Sequence, residues 1–364
     1  MEILNSQSSI LSWIKKHFIA VISVVVLLVI IVSVVVWRVF FGPEPCKGSA
    51  CLDAMGIFDL DNDFSSNFES ELNGNWSLVG FSSIKDSKDD NNIYKNNSIP
   101  RGQTNLVRLK AGKVWTQVWN IQGECDDSST LLSKAQAMKD LLKNNGVVFP
   151  FSTIQVRRIQ SKSDAKKLSS YFKIETFKAV KKSQRFLEAM VKNYPIKFIS
   201  VCDCPEETSQ IGDIVEIATK LSLVINLIEC DANQTEIVFN KITNDSQICY
   251  TVKSKTLNDH QKDIIDRVKE KGGVVLITLL QSLYENITEV VDAFAEVYQH
   301  TNSCDYLGLA SGFDRKDKMI PGLENPSKIP VIFDELFKRN ETIWNKECLN
   351  KIASGNVWRL LDNV

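Results

Sequence analysis

Imidazole is the usual neutral nitrogen ligand for zinc and the usual proton carrier near neutral pH. This chain offers three: His17, His260 and His300. His17 adjoins a long uncharged run, His260 opens an amphipathic stretch and His300 closes another. Each is expected as a surface histidine, so chemistry that depends on several grouped imidazoles has little to draw on. Thiols are more plentiful: Cys46, Cys51, Cys125, Cys202, Cys204, Cys230, Cys249, Cys304 and Cys348. Cys202-Asp203-Cys204 is too short a pattern for a redox or zinc motif and reads as one partner of a structural disulfide. In an oxidising compartment most of the nine should pair, and the odd count leaves one free or intermolecular. Asn-x-Ser/Thr sequons at Asn75, Asn96, Asn233, Asn244, Asn286 and Asn340 point to the same compartment.

All cysteines and sequons follow residues 18–37, a run of twenty residues without a charge. At 1.5 Å per residue such a helix spans roughly 30 Å, the thickness of a bilayer's hydrocarbon core. A cleaved signal peptide has a shorter apolar region that ends in small residues. Here the run is rich in Val and Ile, and Trp37, Arg38, Phe40 and Phe41 follow it. A retained anchor over residues 18–41 is expected. Lys15, Lys16 and His17 on one flank against Arg38 on the other put residues 1–17 in the cytoplasm. The chain then reads as a single-pass type II membrane protein, of the plasma membrane or an endomembrane. Its stalk covers residues 42–55, and its carboxy-terminal domain, residues 56–364, is extracellular or lumenal. The net charge of −1 gives no basic field for nucleic acid.

The composition, 44% hydrophobic and 24% charged, is that of a globular domain. Beyond the stalk, short apolar runs alternate with stretches of helical spacing. The runs at 56–60, 114–119, 172–177, 196–201, 223–228, 236–242, 273–280 and 306–310 read as buried parallel strands. Apolar residues recur every three to four positions in 131–143, 183–193, 213–221, 259–271, 287–299, 331–339 and 347–361. Residues 82–105, rich in Asn, Asp, Lys and Ser, read as a long exposed loop. Eight strands alternating with helices suggest a (β/α)₈ barrel of the TIM type, with a doubly wound open sheet as the alternative from pattern alone.

Several segments resemble the renal (membrane) dipeptidase family of zinc-dependent β/α barrels. Residues 303–314 (SCDYLGLASGFD) are similar to its eighth-strand segment, and 271–277 (KGGVVLI) to its seventh-strand entry. Residues 321–330 (PGLENPSKIP) resemble the loop that follows. Upstream, 112–119 (GKVWTQVW) resembles the second strand and 58–63 (FDLDND) the first. The resemblance implies a barrel rather than an open sheet. It also implies a disulfide from Cys125 to Cys204 or Cys202, and a tendency to dimerise. Cys46 and Cys51 in the stalk would then either crosslink two chains or close a local loop.

The family's chemistry needs two zinc ions bridged by a glutamate and held by several histidines and a first-strand aspartate. Carried over residue by residue, the first-strand histidine falls on Asp61, with its aspartate partner kept as Asp63. The bridging glutamate falls on Glu175, the fifth-strand histidine on Glu229 and the sixth-strand histidine on Asn240 or Lys241. An aspartate after the eighth strand falls on Gly312. A zinc site is not expected. The positions Asp61, Asp63, Glu175, Glu229, Lys241 and Gly312 read as its vestige. Four carboxylates converging at one mouth would suit Ca²⁺ or Mg²⁺. Alternatively, Lys241 or solvent neutralises them. The function that follows is a non-catalytic, membrane-anchored binding or scaffolding ectodomain without a cofactor, with a protein partner and a homodimer both in play. The rival is a metal-dependent membrane dipeptidase with an altered site.

Overall fold

The computed structural model describes residues 18, 22–24, 26–33, 46–52, 56–65, 103–122, 128–144, 146–150, 155, 168–175, 184–202, 208–315 and 319–362. The chain divides into two units, Met1–Cys46 and Lys47–Val364. In the first, residues 22–24 and 26–33 are helical and expose Val, Leu and Ile side chains. Among the described residues no helix is long and apolar enough to cross a membrane. The rest of the expected anchor, and His17, lie outside the described residues.

The second unit is built on eight parallel strands closed into a barrel in chain order. They are β1 (Ile57–Asp59), β2 (Val114–Gln122), β3 (Ser169–Glu175), β4 (Ile196–Val201), β5 (Val224–Ile228), β6 (Gln247–Val252), β7 (Val274–Thr278) and β8 (Leu307–Ala310). Closure comes from β1 pairing with both β2 and β8. The principal helices are α1 (Leu106–Ala111), α2 (Ser128–Asn144), α3 (Gln184–Asn193), α4 (Thr208–Lys220), α5 (Ala232–Lys241), α6 (Asp259–Glu270), α7 (Ile287–Thr301), α8 (Pro330–Arg339), α9 (Lys346–Asn350) and α10 (Asn356–Asp362). The open-sheet alternative is thereby excluded.

Alternation along each strand splits the apolar residues into two cores. The outward set, with Trp119, Phe172, Ile199, Leu227 and Ile277 among it, packs under the helices. The inward set fills the lumen with Phe58, Tyr171, Phe198, Val224 and Leu276. A π-helical turn, Lys351–Gly355, joins α9 to α10 and delivers Trp358 to that inner set. The Trp358 ring lies edge-on to Phe58 at 4.8 Å and to Tyr171 at 6.4 Å. The carboxy-terminal helix thus plugs the amino-terminal end of the barrel.

The sixth strand is a correction. The run 236–242 belongs to α5, and the strand is Gln247–Val252. Two signals decide for helix. Asp231 and Gln234 form a reciprocal capping box at the start of α5. Val238 and Ile242, four apart, both face the core. The true strand is shorter and half polar. Ile248, Tyr250 and Val252 join the outer core while Cys249 faces the lumen.

The segment expected as stalk partly docks. Ser49 N–H donates to Asp334 Oδ1 on α8 at 2.7 Å, and Asn350 Nδ2 donates to the Cys51 carbonyl at 3.1 Å. Cys46 and Cys51 are both disulfide-bonded. Cys202 bonds to Cys230 rather than to Cys125, tying the exits of β4 and β5 together. Cys304 bonds to Cys348. The Cys125–Cys204 expectation lies outside the described residues. Cys249 is the free cysteine among the described residues, and it is buried.

Candidate functional site at the barrel mouth

A closed β/α barrel presents the carboxyl ends of its strands as one face, where such folds assemble their sites. Beyond β1 the chain stays extended, wedged between β2 and β8. Asn120 N–H donates to the Asn62 carbonyl at 2.9 Å, Gly312 N–H to the Asp61 carbonyl at 3.1 Å, and Asp63 N–H to the Phe313 carbonyl at 2.8 Å. Asp61 and Asp63, two residues apart, are thus held beside β2 and β8. On β3, period-two alternation aligns Tyr171, Lys173 and Glu175 on the inward face, climbing from the aromatic plug to the mouth. Strand register then sets Asn120 opposite Lys173 and Gln122 opposite Glu175.

The outcome is a cluster of three carboxylates and two cations. Carboxylate oxygens of Asp61, Asp63 and Glu175 lie within 4.8 Å of one another. Lys173 Nζ stands 3.1 Å from Asp61 Oδ1 and 2.9 Å from Glu175 Oε1. Arg315, on the loop after β8, places Nε 2.8 Å from Asp63 Oδ2 and Nη2 3.1 Å from Asp61 Oδ2. The same Nη2 lies 3.4 Å from Glu175 Oε1. Asn120 Nδ2 donates to Asp61 Oδ1 at 2.5 Å and also to Asp63 Oδ1. Each of the three acids is nine-tenths or more buried, as is Lys173.

Burial alone would force these acids to stay protonated, and the cations decide which of them does. At Asp61 burial pushes upward, but Arg315 and then Lys173 override it and hold the carboxyl well below the ordinary range. At Asp63 burial wins, helped by the Glu175 and Asp61 charges against Arg315, and lifts it to about 7. Lys173 is raised above the ordinary lysine value despite its burial, by Asp61 and Glu175. Below the mouth, burial lifts Asp59 to about 6. It accepts from Ser311 N–H at 2.8 Å and Gln117 Nε2 at 3.1 Å.

Three of the vestigial positions meet here: Asp61, Asp63 and Glu175. Glu229 does not. It follows β5 with a side chain 63% exposed, paired with Lys253 Nζ at 3.2 Å. Lys241 does not neutralise the cluster. It ends α5 on the outer layer, 3.9 Å from Glu216 on α4, because the run that carries it is helix and not strand. Gly312 serves the backbone, with φ of +72° and the pairing to Asp61 already described. His260 contacts the Cys230 carbonyl at 3.1 Å and His300 pairs with Asp266 Oδ1 at 2.9 Å, both on outer helices. The exposed sequon asparagines Asn233, Asn244, Asn286 and Asn340 are described, and Asn75 and Asn96 lie outside the described residues.

Sequence reasoning missed Asn120, Lys173 and Arg315. For Lys173 a signal existed: it stands two positions before Glu175 in a strand, so the two must share a face. For Arg315 none did, since a loop residue's direction is set by the folded loop.

The donor set does not fit a pair of zinc ions. The described mouth offers no imidazole, and an ammonium and a guanidinium already sit among the carboxylates at hydrogen-bond distance. Two positive groups there oppose the entry of a third.

Architecture and site together define a closed parallel β/α barrel with a buried charged cluster at the carboxyl ends of its strands. Residues 243–364 match the model described as membrane dipeptidase, peptidase family M19. Dipeptidase 3 of Mus musculus is 26% identical over 304 residues, a match covering 72% of this chain and 58% of that protein. An uncharacterized dipeptidase of Schizosaccharomyces pombe is 25% identical over 300 residues, covering 71% of this chain and 72% of that one. The chain thus spans less than two thirds of the mouse relative. A metallo peptidase from Rhodobacter sphaeroides, solved with a phosphinate mimic of the dipeptide L-Ala-D-Ala, superposes with a TM-score of 0.67 at 13% identity. That superposition covers 85% of this chain and 99% of that one, and it speaks for the fold alone. The chain is related to the membrane dipeptidase family.

Proposed function

We propose that this chain is a non-catalytic, membrane-tethered relative of the dipeptidases whose barrel acts as an extracellular or lumenal binding domain. The observation that carries the reading is the pairing of Asp61, Asp63 and Glu175 with Lys173 and Arg315. A dipeptidase of this family needs metal-bound water as nucleophile. Carboxylates committed to an ammonium and a guanidinium are poor ligands for the ion that would activate it.

The uncharged run at residues 18–37 supports the tether, in a type II orientation. Exposed sequons and disulfides on the barrel agree with an oxidising, glycosylating compartment. Function then rests on recognition of a protein partner or of a second copy of the chain, with no cofactor required.

The rival is a dipeptidase with an altered metal site. The approach of three carboxylates to within 4.8 Å favours it, as does the similarity to the mouse dipeptidase. A peptidase assay separates the two. The purified ectodomain should cleave dipeptides no faster than a buffer blank, with or without added Zn²⁺ or Mn²⁺. Turnover that a chelator removes and Glu175→Gln destroys would establish the rival instead.

A further inference from the structure

We infer that Lys173 and Arg315 are the barrel's own counter-ions, built in to hold its acidic mouth together without a divalent ion. This rests on the non-catalytic reading and deepens it. Three carboxylates within 4.8 Å, each buried, repel one another strongly in a medium that screens poorly. Such a group persists only if its charges are neutralised, by protons or by positive charge from a bound ion or from side chains.

Here side chains supply it, and they divide the work. Lys173 joins Asp61 to Glu175 from inside the lumen. Arg315 reaches all three acids from the loop after β8, with its planar donors spread over Asp61, Asp63 and Glu175. Glu175 and Asp61 therefore each touch both cations, so neither cation is a local ornament of one acid. The two also enter from different places. Lys173 is carried on β3, where strand register fixes it opposite Asn120. Arg315 follows Asp314, whose N–H donates to Gln103 Oε1 while Gln103 N–H donates to Asp314 Oδ1, each at 2.7 Å. That reciprocal pair anchors the loop root and sets where the guanidinium can reach.

A resident metal would make stability depend on chelators. Built-in counter-ions make it indifferent to them. The test takes the whole ectodomain as wild type, Lys173→Met and Arg315→Met, and follows melting temperature with EDTA, Ca²⁺, Mn²⁺ or Zn²⁺ at millimolar concentration, beside elemental analysis. Wild type should carry no stoichiometric metal and melt at the same temperature in every condition. Each variant should melt roughly 5–10 °C lower, since it leaves buried carboxylates short of a cation. Millimolar Mn²⁺ or Ca²⁺ should return part of that loss in Arg315→Met by binding the folded state. Should the variants fail to fold, the wild-type measurements decide alone. Stoichiometric metal in wild type, a chelator that lowers its melting temperature, or folded variants that melt like wild type would each overturn the assignment. The two readings fail separately. Dipeptide turnover that survives chelation removes the non-catalytic reading and leaves the counter-ions standing, whereas tight metal without turnover does the reverse.

Discussion

The two ends of the barrel lumen are lined by the same strands and stabilised by opposite means. On β3, Tyr171 stacks in the aromatic plug while Lys173 and Glu175, two and four residues on, sit in the charged mouth. On β1, Phe58 touches Trp358 at the plug, and Asp61 a few residues later receives Lys173 and Arg315. The plug gains from removing apolar area from water and is tolerant of small shifts. The mouth gains nothing from burial itself. Each acid there loses hydration and regains it only through a cation or donor at the right distance. Apolar burial is forgiving in direction, and charge compensation is not.

The comparison is broken most severely by removing a charge from the mouth while keeping its volume. Lys173→Met leaves Asp61 and Glu175 short of a partner, and chemical denaturation should report a loss of about 4 kcal/mol. Retention of wild-type stability would overturn the assignment of Lys173 as a counter-ion. At the other end, Trp358→Ala empties a cavity among Phe58, Tyr171 and their neighbours and should cost about 3 kcal/mol by the same measurement. Its effect should be independent of pH and salt, which the mouth variant's should not be.

A pH titration of thermal stability sharpens the contrast further. Asp59 and Asp63 are pushed up to about 6 and about 7, above the unfolded value, so the folded state holds more protons than the unfolded one through that interval. Stability should therefore rise as pH falls from about 8 to about 5, by roughly 1–3 kcal/mol. Asp61 has the opposite sign. Its folded value lies below the unfolded one, so its contribution is lost as pH falls below about 4. A maximum in melting temperature near pH 5 is expected, and Asp59→Asn should flatten its alkaline flank. A monotonic curve would contradict the assignment of raised and lowered carboxyls.

The smallest effect is expected at the other charged pair on the same face. Glu229 and Lys253 meet at 3.2 Å, but the Glu229 side chain is 63% exposed, so water already solvates it. Lys253→Met should change stability by no more than about 0.5 kcal/mol, and less at high salt. A loss comparable to that of Lys173→Met would show that exposure does not separate the two pairs.

Strand and helix periodicity made the barrel legible, with one strand misplaced. The run 236–242 is rich in Ile, Val and Phe, and composition alone favoured a strand. The capping box at Asp231 and Gln234 outweighed it, because two satisfied donors fix a helix start before the β-branched residues are reached. That error carried Lys241 into the expected site. Asp61, Asp63 and Glu175 come together because each lies on or just past a well-marked strand. Glu229 was placed at the right strand end, yet its side chain turns outward, and its φ of 53° is a backbone detail that no pattern announces.

What the sequence by itself determined is the set of elements, the shortage of imidazole and the acids available at two strand ends. These depend on local periodicity and on counting, and neither needs a partner far along the chain. Only the tertiary structure decided the charge balance of the mouth. Arg315 lies 140 residues beyond Glu175, and it reaches that acid through a loop whose root is held by Gln103. Electrostatic energy in a buried cluster varies over fractions of an ångström, so it is settled by the closed fold and not by the order of residues along the chain.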